Sequence, residues 1–206
     1  PWPDILAGVS YGDRFFSDRF GVIASVSYQN LNRGKNSDWY YRSAYMTNGI
    51  ERREYSDNRQ RIAIHCKLDY RFSTRHTVSW YNGWLNMTNE QTRQAHDDKT
   101  ASMRMRWNRQ GIFNSTLQGS HLFLGDQFRI EWKAVFSNAT NRRPDNATVY
   151  IQGNHLATSK AAVRRWEHNS DRDWAGYINL AYNYGKWDFS IGGMFRDKRR
   201  NSFFNE

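Results

Sequence analysis

The chain holds one cysteine and three prolines, and nowhere does it stay apolar for long. With Cys66 as the lone cysteine, no internal disulfide can close and the redox compartment cannot be read from thiol usage. It sits on the apolar side of an alternating segment, where a small buried or lipid-facing residue belongs. Pro1, Pro3 and Pro144 are the only prolines, and no Gly/Ser-rich or low-complexity stretch divides the 206 residues, so they read as one unit. The uncharged stretch at residues 20–32 is full of Ser, Tyr, Gln and Asn, and no longer uncharged stretch is apolar throughout. That excludes a membrane-spanning helix, which needs about 20 predominantly apolar residues. No signal peptide opens the chain, so it reads as a mature or excised segment with a cut at Pro1.

Leu, Ile and Val are scarce, aromatics reach 16%, and mean hydropathy is −0.92. A soluble core is not built that way, because aliphatic side chains normally dominate it. Membrane β-barrels do show the mixture, since polar residues facing the lumen dilute the average and rings form girdles at the interfaces. Charge adds little direction. A net +10 and a pI near 9.9 suit nucleic acid, but the basic residues are spread along every segment and no recognition motif is present. No nucleic-acid partner is expected, and the excess charge is read as a charged lumen plus loops near phosphate-bearing headgroups.

What is present is alternation. In residues 59–72, Ile62, Ile64, Cys66, Leu68, Tyr70 and Phe72 alternate with Arg61, His65, Lys67, Asp69 and Arg71. At about 3.3 Å per residue that two-faced strand is roughly 46 Å long, against a usual strand of about 5 to 6 residues. Similar segments fall at 5–11, 20–29, 76–88 with an imperfect pattern, 100–124, 127–138, 174–184 and 187–196. In the last, Trp187, Phe189, Ile191, Gly193 and Phe195 form the outward set. The fold class expected is all-β, an antiparallel meander of about eight long strands forming part of a transmembrane β-barrel. Neighbours pair throughout, the sheet curves, and its edges at 5–11 and 187–196 stay open.

The connections alternate in length. Residues 12–19, 73–75, 125–126 and 185–186 are tight turns, whereas 30–58, 89–99 and 140–172 are long and polar. The first of these, with Trp39, Tyr40, Tyr41 and Tyr45, could form a protruding hairpin; the other two read as loops. Outer-membrane barrels of bacteria place short turns in the periplasm and long loops outside. The lumen-facing candidates are therefore Arg61, His65, Lys67, Asp69, Arg71, Arg129, Glu131 and Lys133, and the external-loop aromatics are Trp39, Tyr40, Tyr41 and Trp166. Rings in such loops suit sugars or the faces of chelates.

No catalytic constellation stands out, and no enzyme activity or cofactor is expected. The six histidines are scattered without zinc-site spacing, Asp97 and Asp98 read as a solvated loop pair, and neither a Gly-x-Ser-x-Gly elbow nor a phosphate-cradling loop occurs.

Three segments also resemble a family. Trp132 to Asp145, with the sequence WKAVFSNATNRRPD, is similar to a strand and the following Pro-Asp loop in the barrel of TonB-dependent outer-membrane receptors of Bacteroidetes-like type. Gly192-Gly193-Met194-Phe195-Arg196 resembles a later barrel strand, and Gly12 to Val22 one of the periplasmic turns. The resemblance implies energy-coupled uptake of an iron chelate, vitamin or glycan at the bacterial outer membrane. It also implies outer-membrane lipid as surroundings, and as partners a plug domain and, through it, TonB. No plug is found here, and about eight strands would be roughly a third of such a barrel. Two other classes stay open: a structural or adhesive outer-membrane barrel, and a soluble basic β-sandwich binding polyanions, in which the apolar faces of 62–72 and 128–136 pack on each other.

Overall fold

The computed structural model describes residues 3–43, 46–97, 101–152, 155–156 and 162–206; the side chains of 41–43 and 46–48 lie outside the description. The strands are β1 (Ile5–Phe15), β2 (Phe20–Ser43), β3 (Met46–Arg71), β4 (His76–His96), β5 (Ala101–Phe123), β6 (Phe128–Gln152), the two-residue β7 (His155–Leu156), β8 (Val163–Tyr184) and β9 (Trp187–Asn205). All join one antiparallel sheet in the order β1-β2-β3-β4-β5-β6-β8-β9, with β7 beside β6. The expected meander is what forms, with eight long strands, neighbour pairing throughout and no pairing between β1 and β9.

Direct cross-strand partners share a face, so the register sorts the side chains. Phe20, Val22, Ala24, Val26 and Tyr28 stand opposite Tyr70, Leu68, Cys66, Ile64 and Ile62. Carried across β4 to β9, the same face holds Trp80, Trp84, Leu117, Ile130, Trp132, Phe136, Trp174, Ile178, Phe189, Ile191 and Phe195. In β3, β6 and β9 the apolar band covers residues 62–70, 128–136 and 187–195, the roughly 9 to 11 residues with which a tilted strand crosses a bilayer. Rings crowd its turn end, where Phe123 meets His76 at 5.1 Å and Phe128 at 6.3 Å, and Phe128 meets Tyr182 at 6.5 Å. A second group lies higher, with Phe136 at 6.0 Å from Phe113 and 4.3 Å from Trp174. Trp80 and Trp132 fall between the two.

Nothing among the described residues covers this face. A compact monomer of 24.5 kDa exposes about 10,000 Å², and here the surface is 15,268 Å². Among the described residues no side chain is fully buried, and the most enclosed are Ala95 and Asn30. The sandwich alternative is thereby corrected: 62–72 and 128–136 lie on the same face of one sheet, with no second layer for either to pack against.

Three of the four turns fall where the sequence puts them, and the one expected at 12–19 narrows to 16–19 because β1 runs on to Phe15. Tyr184 and Trp187 flank a two-residue turn with Gly185 at φ 60, the hairpin position that favours glycine. Residues 16–19 and 124–127 form a matching pair of four-residue turns, each with three successive left-handed residues: Phe16, Ser17, Asp18 and Leu124, Gly125, Asp126.

The other end of the sheet departs from expectation. Residues 89–96 continue β4, and 140–152 and 163–172 continue β6 and β8, so two stretches expected as loops are mostly strand. Residues 30–58 do form a long hairpin, continuous with β2 and β3. Antiparallel neighbours satisfy each other's backbone groups whatever the side chains, so polar sequence does not end a strand whose partner also continues. Even Pro144 lies inside β6. Its missing N–H is accommodated by a bulge at 144–145, seen as register shifts against both β5 and β8.

Candidate functional site

The register brings all eight lumen candidates to the face opposite the apolar band. Arg61, His65, Lys67, Asp69 and Arg71 stand opposite Met87, Gly83, Tyr81, Ser79 and Thr77 of β4. Through Ser120 and Gln118 of β5 the same rows reach Glu131 and Lys133, and Arg129 lies beside Leu122. Their surroundings differ. Asp69 is held by Arg14 at 2.7 Å, and the pair fills the space above Gly21, where an added Cβ would lie 2.4 Å from the carboxylate. His65 Nδ1 lies 2.8 Å from the Tyr81 hydroxyl, and Arg61 reaches the Met87 sulfur at 3.6 Å. Lys67, Arg71, Arg129, Glu131 and Lys133 are exposed.

The charged face is concave. A cavity of about 920 Å³ is bounded by Ser79, Gln118, Glu131, Lys133, Tyr177 and Met194, side chains of five strands from β4 to β9, and a flat sheet could not bound one space with five strands.

The external aromatics need correction. Trp39, Tyr40 and Tyr41 belong to β2 and Trp166 to β8, because the strands continue past the band. Nor do they share a face. Trp39 is on the charged side, stacked under the Arg53 guanidinium at 4.3 Å, while Tyr40 and Trp166 face the other way. Tyr41 also lies in β2, with its side chain outside the description; Tyr45 and Asp98 lie outside the described residues altogether.

In its extended half, the charged face carries arginines that the alternation does not point to. Arg93 of β4 stands directly opposite Arg104 of β5, with Arg106 two residues along. Arg53, also on this face, is neutralised by Glu51, and Arg165 by Glu206 at 3.0 Å. Among the described residues, Arg93, Arg104 and Arg106 have no carboxylate partner within 4.0 Å. Burial, then Arg93 and Arg106 beside it, holds the Arg104 guanidinium below the ordinary arginine range. The histidines are also less scattered than their spacing implies. His76 and His121 meet across β4 and β5 at 3.3 Å, and His121 accepts a hydrogen bond from Trp132 Nε1 at 3.1 Å. Among the described residues no three His, Cys, Asp or Glu side chains gather as a metal site.

The chain matches no protein family model and no curated protein. Among solved structures it is similar to the ferric citrate transporter FecA in its unliganded form, at 10% identity and a TM-score of 0.47, over 96% of this chain and 35% of that one. It is similar to BauA, the ferric preacinetobactin receptor of Acinetobacter baumannii, at 11% identity and a TM-score of 0.42, over 97% and 40%. A third is FpvA of P. aeruginosa bound to a heterologous pyoverdine, at 12% identity and a TM-score of 0.44, over 98% and 36%. The chain thus spans between about a third and two-fifths of the length of those proteins. The likeness is one of fold.

Proposed function

We propose that this chain is a stretch of barrel wall in a bacterial outer-membrane protein, with lipid on its apolar face and an aqueous lumen on its charged face. One observation carries the reading: an apolar band of bilayer height, interrupted at Asp13, Asn82 and Ser115, runs across eight strands and is left uncovered by the described residues, directly behind a concave charged face. Exposed apolar patches of a few hundred Å² already mark interaction sites, and a band this wide needs a continuous apolar surrounding.

Within that reading the parent protein is a TonB-dependent receptor taking up a scarce nutrient, with a plug domain and TonB as partners and no catalytic step. The segments around Trp132, Pro144 and Gly193 that resemble this family support it. Gating and energy coupling belong to the whole receptor; the wall supplies a lumen and a binding face.

The test is tryptophan quenching in vesicles. Trp80, Trp84, Trp132, Trp174 and Trp187 all sit on the band, so lipids brominated along the acyl chain should quench most of the emission while aqueous acrylamide quenches little. Solubility without detergent, together with efficient acrylamide quenching, would refute the membrane reading and favour a soluble basic sheet.

A further inference from the structure

Above the band, both faces of the sheet lie beyond bilayer height, and like charges facing each other there need a reason. Arg93 and Arg104 are direct cross-strand partners, an arrangement in which Cβ atoms lie about 5 Å apart and equal charges destabilise the pair. Elsewhere in the same half, arginines have carboxylates: Arg164 with Asp145 at 2.7 Å, Arg143 with Glu167 at 2.9 Å, Arg200 with Asp171 at 2.7 Å. Acids are therefore available to the region, yet Arg93, Arg104 and Arg106 have none; Arg109 and Arg142 also lack a carboxylate, but Arg109 stacks on Trp107 at 4.0 Å and Arg142 donates to His168 at 3.2 Å. Nε of both Arg93 and Arg104 is buried and meets no acceptor among the described residues, a costly state for a charged donor.

Arg104 and Arg106 border a usable space, with Arg93 standing beside Arg104 as its cross-strand partner. Arg104, Arg106, Asn146, Thr148, Tyr150 and Arg165 line a cavity of about 190 Å³. A second cavity of about 140 Å³, lined by Gln91, Asn108 and Arg143, adjoins it across Arg106 and Asn146. The first equals the liquid volume of about six waters, room for a small branched anion. Guanidinium forks match carboxylate and phosphate oxygens two at a time, and amide and hydroxyl groups around them complete an oxyanion shell.

We propose that Arg104 and Arg106 form a binding subsite for a small, multiply charged oxyanion ligand, a polycarboxylate or phosphate-bearing solute, on the lumen side of the extended half, with Arg93 adding positive charge beside them. This deepens the receptor reading and rests on it: it favours an acidic chelate over a neutral glycan or vitamin. A lipid headgroup is the less suitable source, because the subsite lies on the face turned away from the band.

The experiment uses the native protein in detergent micelles, with propane-1,2,3-tricarboxylate and inorganic phosphate as probes in calorimetric titrations. Tricarboxylate should bind, with affinity falling as NaCl rises. Arg104→Gln and Arg106→Gln should each weaken it at least tenfold, while Arg172→Gln on the opposite face leaves it unchanged. Without ligand, Arg104→Gln should melt at or above the wild type, since it relieves repulsion, and it should lose the rise in melting temperature that tricarboxylate gives the wild type. A structural arginine would show the reverse. Equal tricarboxylate affinity in wild type and both variants would overturn the subsite. So would no binding by a wild type of intact β dichroism, which would leave these arginines to carboxylates of another polypeptide segment. An anionic lipid displacing tricarboxylate at stoichiometric amounts would equally overturn the assignment to a soluble ligand. None of these results touches the brominated-lipid test, so the two readings fail separately.

Discussion

The band half of the sheet and its extended half are built from the same strands, yet they obey different rules. In the band, each residue's face decides its chemistry: Ile64 and Leu68 look one way, His65 and Asp69 the other. In the extended half the division is looser: polar rows such as Asn32 with Asn58, Asn89 with Asn108 and Arg93 with Arg104 stand beside outward apolar pairs, Met103 with Val149 and Met105 with Ala147. The difference teaches that environment, not strand formation, writes the period-2 pattern. A strand needs only a partner for its backbone, whereas alternation needs two unlike media.

The sharpest way to break this comparison is to place a charge on the outward face in each half. Ile64→Arg, near the middle of the band and 44% exposed within the chain, should cost about 2–4 kcal/mol in lipid vesicles. Ser56→Arg, outward in the extended half, should stay within about 0.5 kcal/mol. Equal costs in guanidine unfolding would show that the band is not where the bilayer lies.

Glycines give a second contrast. A Cβ on Gly119 would lie 2.5 Å from Trp132 Nε1, so Gly119→Val must displace the ring and break its bond to His121, at about 1–3 kcal/mol. At Gly34 an added Cβ meets only a carbonyl at 3.9 Å, and valine there should be neutral or slightly stabilising because it favours the strand. The same unfolding titration ranks them.

Legibility followed the same division. The turns at Gly125 and Gly185, the outward set from Trp187 to Phe195 and the facing of all eight lumen candidates could be read because the band sets apolar and charged residues on opposite faces. The continuation of β4 through Arg93 and of β6 past Pro144 could not, because residues 89–94 are polar on both sides and Pro144 breaks the alternation that Ala147, Val149 and Ile151 resume. The arginine cluster was hidden for that reason. Arg93 and Arg104 are distant in sequence and meet only once both segments are known to be strand in one register.

The smallest expected effect concerns pH. The side-chain hydrogen bonds from Arg164 hold Asp145 below its ordinary pKa of 3.8. A depressed aspartate contributes stability that is fully present above the unfolded value and is lost as pH falls through the folded one. Asp145→Asn should therefore unfold slightly earlier than wild type at pH 5 to 7, by less than about 1 kcal/mol because the pair is largely solvated. That gap should close below about pH 3 to 4. A gap that persists into stronger acid would mean that packing, not charge, ties the extended half together there.

The three register shifts in the sheet, between Tyr41 and Ser43, Trp107 and Arg109, and Arg143 and Asn146, all fall in the extended half. Parity explains why. On the membrane reading proposed above, a one-residue slip of register inside the band would turn the following charged side chains to the apolar side, while beyond the band the two faces are less sharply divided. Odd-numbered insertions and deletions therefore have a permitted zone in this wall. Lineages can alter the length and contour of the rim one residue at a time, while between the turns and the top of the band change is confined to steps of two.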